Sequence, residues 1–314
     1  MLYLCLQIKA IFLKELSLLE FIPKFYKMGD EVIVGPGDDC AVIDLGLDQK
    51  YFLMAVDQLN PNIHYLENLT SPEQIADKLL KRNISDIAAM GGKPTLALTA
   101  ASFKKDKNDS WCLRFLKALQ KTAQEYNISI CGGDISSAEL QDSFSLTING
   151  WVNKDSLCLR SNAKNEDVIF VTGLFGNSFE SQHHINFTPR LQEANFISEN
   201  FPGAMIDVSD GLLLDATRIA IMSSIDIILT TDNIPLRNGA NLNNALTDGE
   251  DYELLFTINP EDVDEFEKSW PFKTKLTKIG ECISNDSPGK ILNHHGVILN
   301  NFNSQNNSAG FEHN

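Results

Sequence analysis

Apolar and polar positions along the chain switch between a period near two and a period near 3.6. Tyr51–Asp57 (YFLMAVD) is an apolar run long enough for a buried strand, and it closes on an acidic residue. Ser71-Pro72-Glu73-Gln74 follows, a capping box with proline at the first helical position. The helix it predicts carries Ile75, Leu79 and Ile87 and stops at Gly91-Gly92. Thr95–Ala101 reads as a strand. Asp109 is placed to cap a second helix running to Tyr126, with Phe115, Leu119 and Ala123 on one face. Ile128–Cys131 predicts a short strand ended by Gly132-Gly133-Asp134, and Phe144–Val152 alternates like a strand with one wet face.

After Lys154 the pattern restarts. Val168–Thr172, Met205–Val208, Ile225–Thr230 and Tyr252–Ile258 read as strands. A helix is expected from Gly211 through Ala220, and Asn259-Pro260 is placed to cap another. The segment from Lys290 looks like a hairpin. Strands and helices in alternation predict an α/β (α+β) fold. The break near 153–166 divides the chain into units of 15–153 and 154–314.

The 314 residues are 43% hydrophobic and 22% charged, ordinary for a globular protein. With 26 basic against 42 acidic side chains the formal net charge is −16, and no basic patch offsets it, so nucleic acid and anionic membrane are poor partners. The six cysteines are scattered without metal-like spacing and read as small buried hydrophobes in a reducing compartment. Lys9 interrupts the apolar N-terminal stretch, which is too short for a spanning helix and poor as a secretory signal; a cytoplasmic protein is expected.

The chemistry lies in where the aspartates fall. Asp38-Asp39 follow Gly35-Pro36-Gly37, Asp57 closes a strand, Asp134 follows Gly132-Gly133, and Asp207 and Asp210 flank Ser209. Glu250-Asp251 precede another strand, whereas Asp86 lies within a helix. Strand ends in α/β folds converge where ligands bind. Two unit charges about 4 Å apart repel by roughly 4 kcal/mol at an effective dielectric near 20, so such a cluster calls for cations. An all-oxygen set suits Mg²⁺ or Ca²⁺, and neighbouring glycines let backbone amides approach phosphate. This points to Mg²⁺-dependent phosphate chemistry without a P-loop, protein-kinase or nucleophilic-hydrolase motif, none of which is present.

GPGDDCAVI, VDQLNPNIHY, KLLKRNISDIAAMGGKP, CGGDISS, LRSNAKNEDVIFVTG, MIDVSDGLLLD and LTDGEDYELLF occur in the order found in thiamine-monophosphate kinases, and from about residue 15 onward the chain resembles that family. The resemblance implies a two-domain fold like that of aminoimidazole ribonucleotide synthetase. It implies transfer of the ATP γ-phosphoryl group to thiamine monophosphate, several Mg²⁺ ions, and a homodimer whose N-terminal domains pair sheet to sheet, with ATP near the subunit interface. By motif position Asp39, Asp57, Asp86, Asp134, Asp207 and Asp210 take the Mg²⁺-ligand places. Gly133, Asp134, Arg160 and Ser209 take nucleotide-contacting places, and His64, Glu250 and Phe311 contact thiamine phosphate. Asp39, Asp210 and Arg160 are the residues on which transfer is expected to depend.

Each of these residues has a blander alternative. Arg160 could pair with Glu166 or Asp167, Asp86 with Arg82 at i−4, His64 could be an interface histidine, and Phe311 could cover a local core. The chain also departs from the family. Ala55-Val56-Asp57-Gln58 stands where relatives carry hydroxyl side chains around the aspartate, which predicts weaker Mg²⁺ binding there. The segment after Gly176 is shorter than usual, which suggests a trimmed helix. The competing readings are another ATP-dependent enzyme of the same superfamily and a degenerate thiamine-phosphate binder without turnover.

Overall fold

The structure, a computed structural model, describes residues 27–300. Two six-stranded sheets organise it. The first comprises β1 (Val32–Val34), β2 (Ala41–Ile43), β3 (Lys50–Leu59), β4 (Lys93–Lys104), β5 (Ser129–Ala138) and β6 (Ser143–Asn153), in the order β1-β2-β3-β6-β4-β5. The second comprises β7 (Val168–Thr172), β8 (Met205–Asp207), β9 (Asp226–Leu229), β10 (Leu254–Ile258), β11 (Leu276–Ile283) and β12 (Ile291–Asn293), in the order β12-β9-β11-β7-β10-β8. The expected α/β class is therefore observed.

Helix α1 (Pro72–Ala89) joins the two halves. Its capping box is formed: Gln74 N–H donates to Ser71 Oγ at 3.2 Å, and Ser71 N–H donates to Gln74 Oε1 at 3.1 Å. Two faces of this helix are occupied. Ile75, Leu79 and Ile87 enter the first core with Leu53, Leu146 and Ile148, while Ala88 joins Phe170, Met205 and Phe256 of the second half. An 18-residue helix buried on two sides carries its polar residues to the seam between the sheets.

Helix α2 (Asp109–Glu125) crosses from β4 to its parallel neighbour β5, as a parallel pair requires. Its cap is Asn108 rather than the expected Asp109: Asn108 Oδ1 accepts from Trp111 N–H at 2.9 Å. The strand expected to stop at Cys131 instead runs through Gly132-Gly133-Asp134 to Ala138, because the 12-residue β4 offers a ladder beyond the glycines. Gly133 is required there, since any Cβ would collide with the carbonyl oxygen of Thr99. β6 alternates buried and half-buried positions along nearly its whole length, as its sequence implied.

In the second half, α3 (His183–Asn186) is a single turn in the segment after Gly176, followed by α4 (Leu191–Asn200), α5 (Leu212–Met222), α6 (Leu242–Thr247) and α7 (Val263–Ser269). The Asn259 side chain caps a turn by accepting from Glu261 N–H, and α7 starts two residues after that turn, with Asp262 at its N-cap. Among the described residues no helix is long and apolar enough to cross a membrane.

Candidate functional site

Three carboxylates from distant parts of the chain meet at the seam. Asp39 comes from the turn before β2, Asp86 from the last turns of α1, and Asp207 from the end of β8; one oxygen of each lies within 4.8 Å of the others. Arg160 Nη2 donates to Asp39 Oδ1 at 2.5 Å, while Asp39 Oδ2 is buried with no hydrogen-bond partner. Ser85 Oγ donates to Asp207 Oδ2 at 2.6 Å. Burial, then the neighbouring carboxylates, pushes the pKa of both Asp86 and Asp207 well above the usual range. Asp38 accepts the backbone N–H groups of Asp39 and Arg160, and burial with the Asp39 charge lifts its pKa to about 6.

This donor set fits a hard divalent cation. It is all oxygen, its members resist ionising together, and an orphaned Asp39 oxygen is one ligand short of satisfaction. The adjacent Cys40 offers no competing soft ligand: its thiol donates to the Asp86 carbonyl at 3.3 Å, and burial keeps it protonated.

Arginines organise the margin. Arg160 binds Gly37 O at 3.0 Å as well as Asp39, and not Glu166 or Asp167. Asp57 Oδ2 accepts from Arg82 Nε at 2.7 Å, and Arg82 Nη1 donates to Gln58 O at 3.0 Å. Asp57 thus stands beside the triad, not within it, and Arg82 serves Asp57 rather than Asp86. Ala55 shares the inner face with Asp57, whereas Val56 is 63% exposed on the outer face. Asp210 pairs with Arg218 at 2.5 Å, and its backbone N–H donates to Asp215, whose pKa burial raises to about 7. Gly211 (φ +114) makes this turn possible; a Cβ would crowd the Leu246 and Asp248 carbonyls.

A second cluster unites two expected residues. His64 and Glu250 are both about 5% exposed, and fully buried Lys78 bridges them. Its Nζ donates to His64 O at 2.5 Å and to the two Glu250 oxygens at 2.9 and 2.8 Å. Burial lowers the Lys78 pKa to about 8 even with Glu250 beside it. Glu250 and Tyr252 both have left-handed backbone, at φ 63 and 50, held by hydrogen bonds from their N–H groups to Ser209 O and Val208 O. Strain of this kind in non-glycine residues concentrates at functional sites.

Other expected residues sit apart. Register runs Asp57–Leu146–Thr99–Gly133 across the first sheet, so Gly133 lies about 14 Å from Asp57 at the usual strand spacing. Asp134, opposite exposed Ala100, faces the outer side, so within one chain it is not brought to the carboxylate cluster. Ser209 is half-buried between Asp207 and Asp210. Phe311 lies outside the described residues. Lys78 and Ser85 were not among the expected residues, and Arg82 was expected only as a partner of Asp86. Together with Asp86 they form an i, i+4, i+7, i+8 polar stripe on a helix otherwise read from its apolar positions, and that stripe was the available signal.

A fold with paired mixed sheets and an acidic seam defines the class: residues 37–152 match the family described as AIR synthase related protein, N-terminal domain. Thiamine-monophosphate kinase of Buchnera aphidicola subsp. Schizaphis graminum is 32% identical over 91% of this chain and 97% of its own. That of Rhodopirellula baltica is 31% identical over 86% and 89%. A solved structure of AaThiL complexed with AMPPCP and TMP superposes with TM-score 0.80 at 27% identity, covering 96% of this chain and 97% of that one. The chain belongs to the thiamine-monophosphate kinase family.

Proposed function

We propose that this chain transfers the γ-phosphoryl group of ATP directly to thiamine monophosphate, giving thiamine diphosphate and ADP in thiamine diphosphate biosynthesis. One observation carries the reading: Asp39, Asp86 and Asp207 converge around an unpaired Asp39 oxygen, in a chain that a relative complexed with AMPPCP and TMP matches over 96% of its length.

The acceptor is a phosphate oxygen, largely deprotonated at neutral pH, so no general base is needed. That oxygen bonds to the γ-phosphorus as the bond from phosphorus to the β,γ-bridging oxygen breaks, with no phosphoenzyme. The demand on the protein is to bring two anions together in line and to offset their charge. Asp39, Asp86 and Asp207 would hold Mg²⁺, with Asp210 at the margin, and an ion bound there would offset phosphate charge. Arg160 holds Asp39 in position, and with Gly133, Asp134 and Ser209 it contacts the nucleotide. His64 and Glu250, tied by Lys78, orient thiamine monophosphate, and Phe311, outside the described residues, is the third residue assigned to it.

The outer face of the first sheet supports a homodimer. Met54, Val56, Leu96 and Leu98 form two cross-strand rows, each residue at least 40% exposed. Pairing there brings Gly133 and Asp134 to a subunit interface. Units 15–153 and 154–314 are the corresponding domains, and the cytoplasm is the corresponding location.

The test is a coupled assay with ATP, Mg²⁺ and thiamine monophosphate, using Asp207→Asn as control. Equal amounts of ADP and thiamine diphosphate, lost in the control, are expected. ADP without thiamine diphosphate means another acceptor; no ADP from folded protein means a binder without turnover.

A further inference from the structure

The relation between Asp57 and Arg82 carries an inference that rests on the metal-dependent reading above. Asp57 lies on the inner face of β3 between Ala55 and Leu59, close enough to Asp86 to act on its charge, and adds a fourth acidic group beside the triad. Asp57 and Asp39 each already meet an internal cation, Arg82 and Arg160, but Asp39 keeps a second, buried oxygen that nothing satisfies. Arg82 is 8% exposed and places Nε 2.7 Å from Asp57 Oδ2 and Nη1 3.0 Å from Gln58 O, so its fork is anchored at two points of one strand. Burial works against its charge, but Asp57 first, then Tyr252, Glu250 and Asp86, hold it firmly protonated. A guanidinium in this setting neither leaves nor titrates.

The residues flanking Asp57 agree. Ala55 and Leu59, its neighbours on the inner face, have no side-chain oxygen to offer an ion, and Gln58 gives its carbonyl to Arg82. By contrast Asp39 meets Arg160 through Oδ1 and leaves Oδ2 without a partner, and Asp207 is hydrogen-bonded by the neutral Ser85 hydroxyl rather than by a guanidinium.

We propose that Arg82 is a built-in substitute for a divalent cation at Asp57: its guanidinium supplies there the positive charge an ion would bring, leaving Asp39, Asp86 and Asp207 as the ion-binding group. Arg82 is in this sense a positioning residue. It fixes Asp57 and lowers the number of ions the site requires.

The experiment counts ions. Mn²⁺ is titrated into the full chain and the free ion is read by its EPR signal. Asp57→Asn is expected to leave the number bound unchanged and Asp39→Asn to lower it. Arg82→Gln is expected to gain one ion, lost again in the Arg82→Gln/Asp57→Asn double variant, while Arg82→Lys, which keeps the charge, gains none. Circular dichroism checks folding, and the Asp57→Asn comparison decides the matter should Arg82→Gln not fold. A drop in bound Mn²⁺ with Asp57→Asn, or no gain in folded Arg82→Gln, overturns the proposal while leaving the metal reading in place. An Asp39→Asn protein that binds as much Mn²⁺ as the parent overturns both.

Discussion

Lys78 and Glu250, 172 positions apart, form a buried ion pair in which one ammonium reaches both carboxylate oxygens and, on its other side, the His64 carbonyl. This contact ties α1 to the strained loop before β10 and sets the distance between His64 and Glu250, two of the residues proposed to bind thiamine monophosphate.

Removing the ammonium leaves the buried Glu250 carboxyl without its cationic partner. Lys78→Met should cost about 3–5 kcal/mol, the usual penalty for breaking a buried pair from one side. Lys78→Met/Glu250→Gln should recover part of it. Urea unfolding of the parent, both single variants and the double gives the coupling. Additive losses would mean that the two groups do not interact.

The triad predicts opposite effects on stability and on catalysis. Asp86 is held among Asp57, Asp207 and Asp39, so without metal its charge opposes the fold. Asp86→Asn should raise the metal-free melting temperature by about 1–2 °C, what roughly 1 kcal/mol is worth in a chain of this size. The same change should lower kcat by about 10² or more, on the scale of removing one electrostatic contact to a transition state. A variant that loses both stability and activity would mark Asp86 as structural.

The raised carboxyl groups also fix a pH dependence. Asp38 (about 6), Asp215 (about 7), Asp86 and Asp207 all bind protons more tightly folded than unfolded. Folded protein therefore carries more protons between the unfolded carboxylate pKa near about 4 and these values, so metal-free stability falls as pH rises through that window. Mg²⁺ must displace those protons from Asp86 and Asp207. Its stabilising effect should be small near about pH 5 and grow toward about pH 8. Thermal melts with and without Mg²⁺ at the two pH values check this; an equal gain at both would contradict it.

Asp39 and Asp207 could be read from sequence because glycine turns and strand ends announce them, and Asp86 because its surrounding motif is distinctive. Arg82 and Lys78 could not be read the same way. A lysine and an arginine on a helix ordinarily face solvent, and only the two-sided packing of α1 turns them inward. The strand β5 was cut short for a related reason: Gly132-Gly133 is a local stop signal, and the long partner β4 overrides it. Three-residue strands such as β1 and β2 are too short for any period to register. The outward aim of Asp134 depends on register, which no local pattern encodes.

Ser85 provides the sharpest test of how the triad is held. Its hydroxyl, 1% exposed, donates to Asp207 Oδ2 at 2.6 Å and so selects which Asp207 oxygen remains for an ion. Groups in that position typically change metal affinity by about 10–100-fold when removed, by releasing the ligand's orientation rather than its charge. Ser85→Ala should therefore raise the Mg²⁺ concentration for half-activation by at least about 10-fold, with kcat at saturating Mg²⁺ changed far less. Mn²⁺ binding should weaken in parallel, separating this from an effect on ATP. Should half-activation stay at the parent value while the melting temperature falls, the hydroxyl satisfies a buried carboxylate and nothing more.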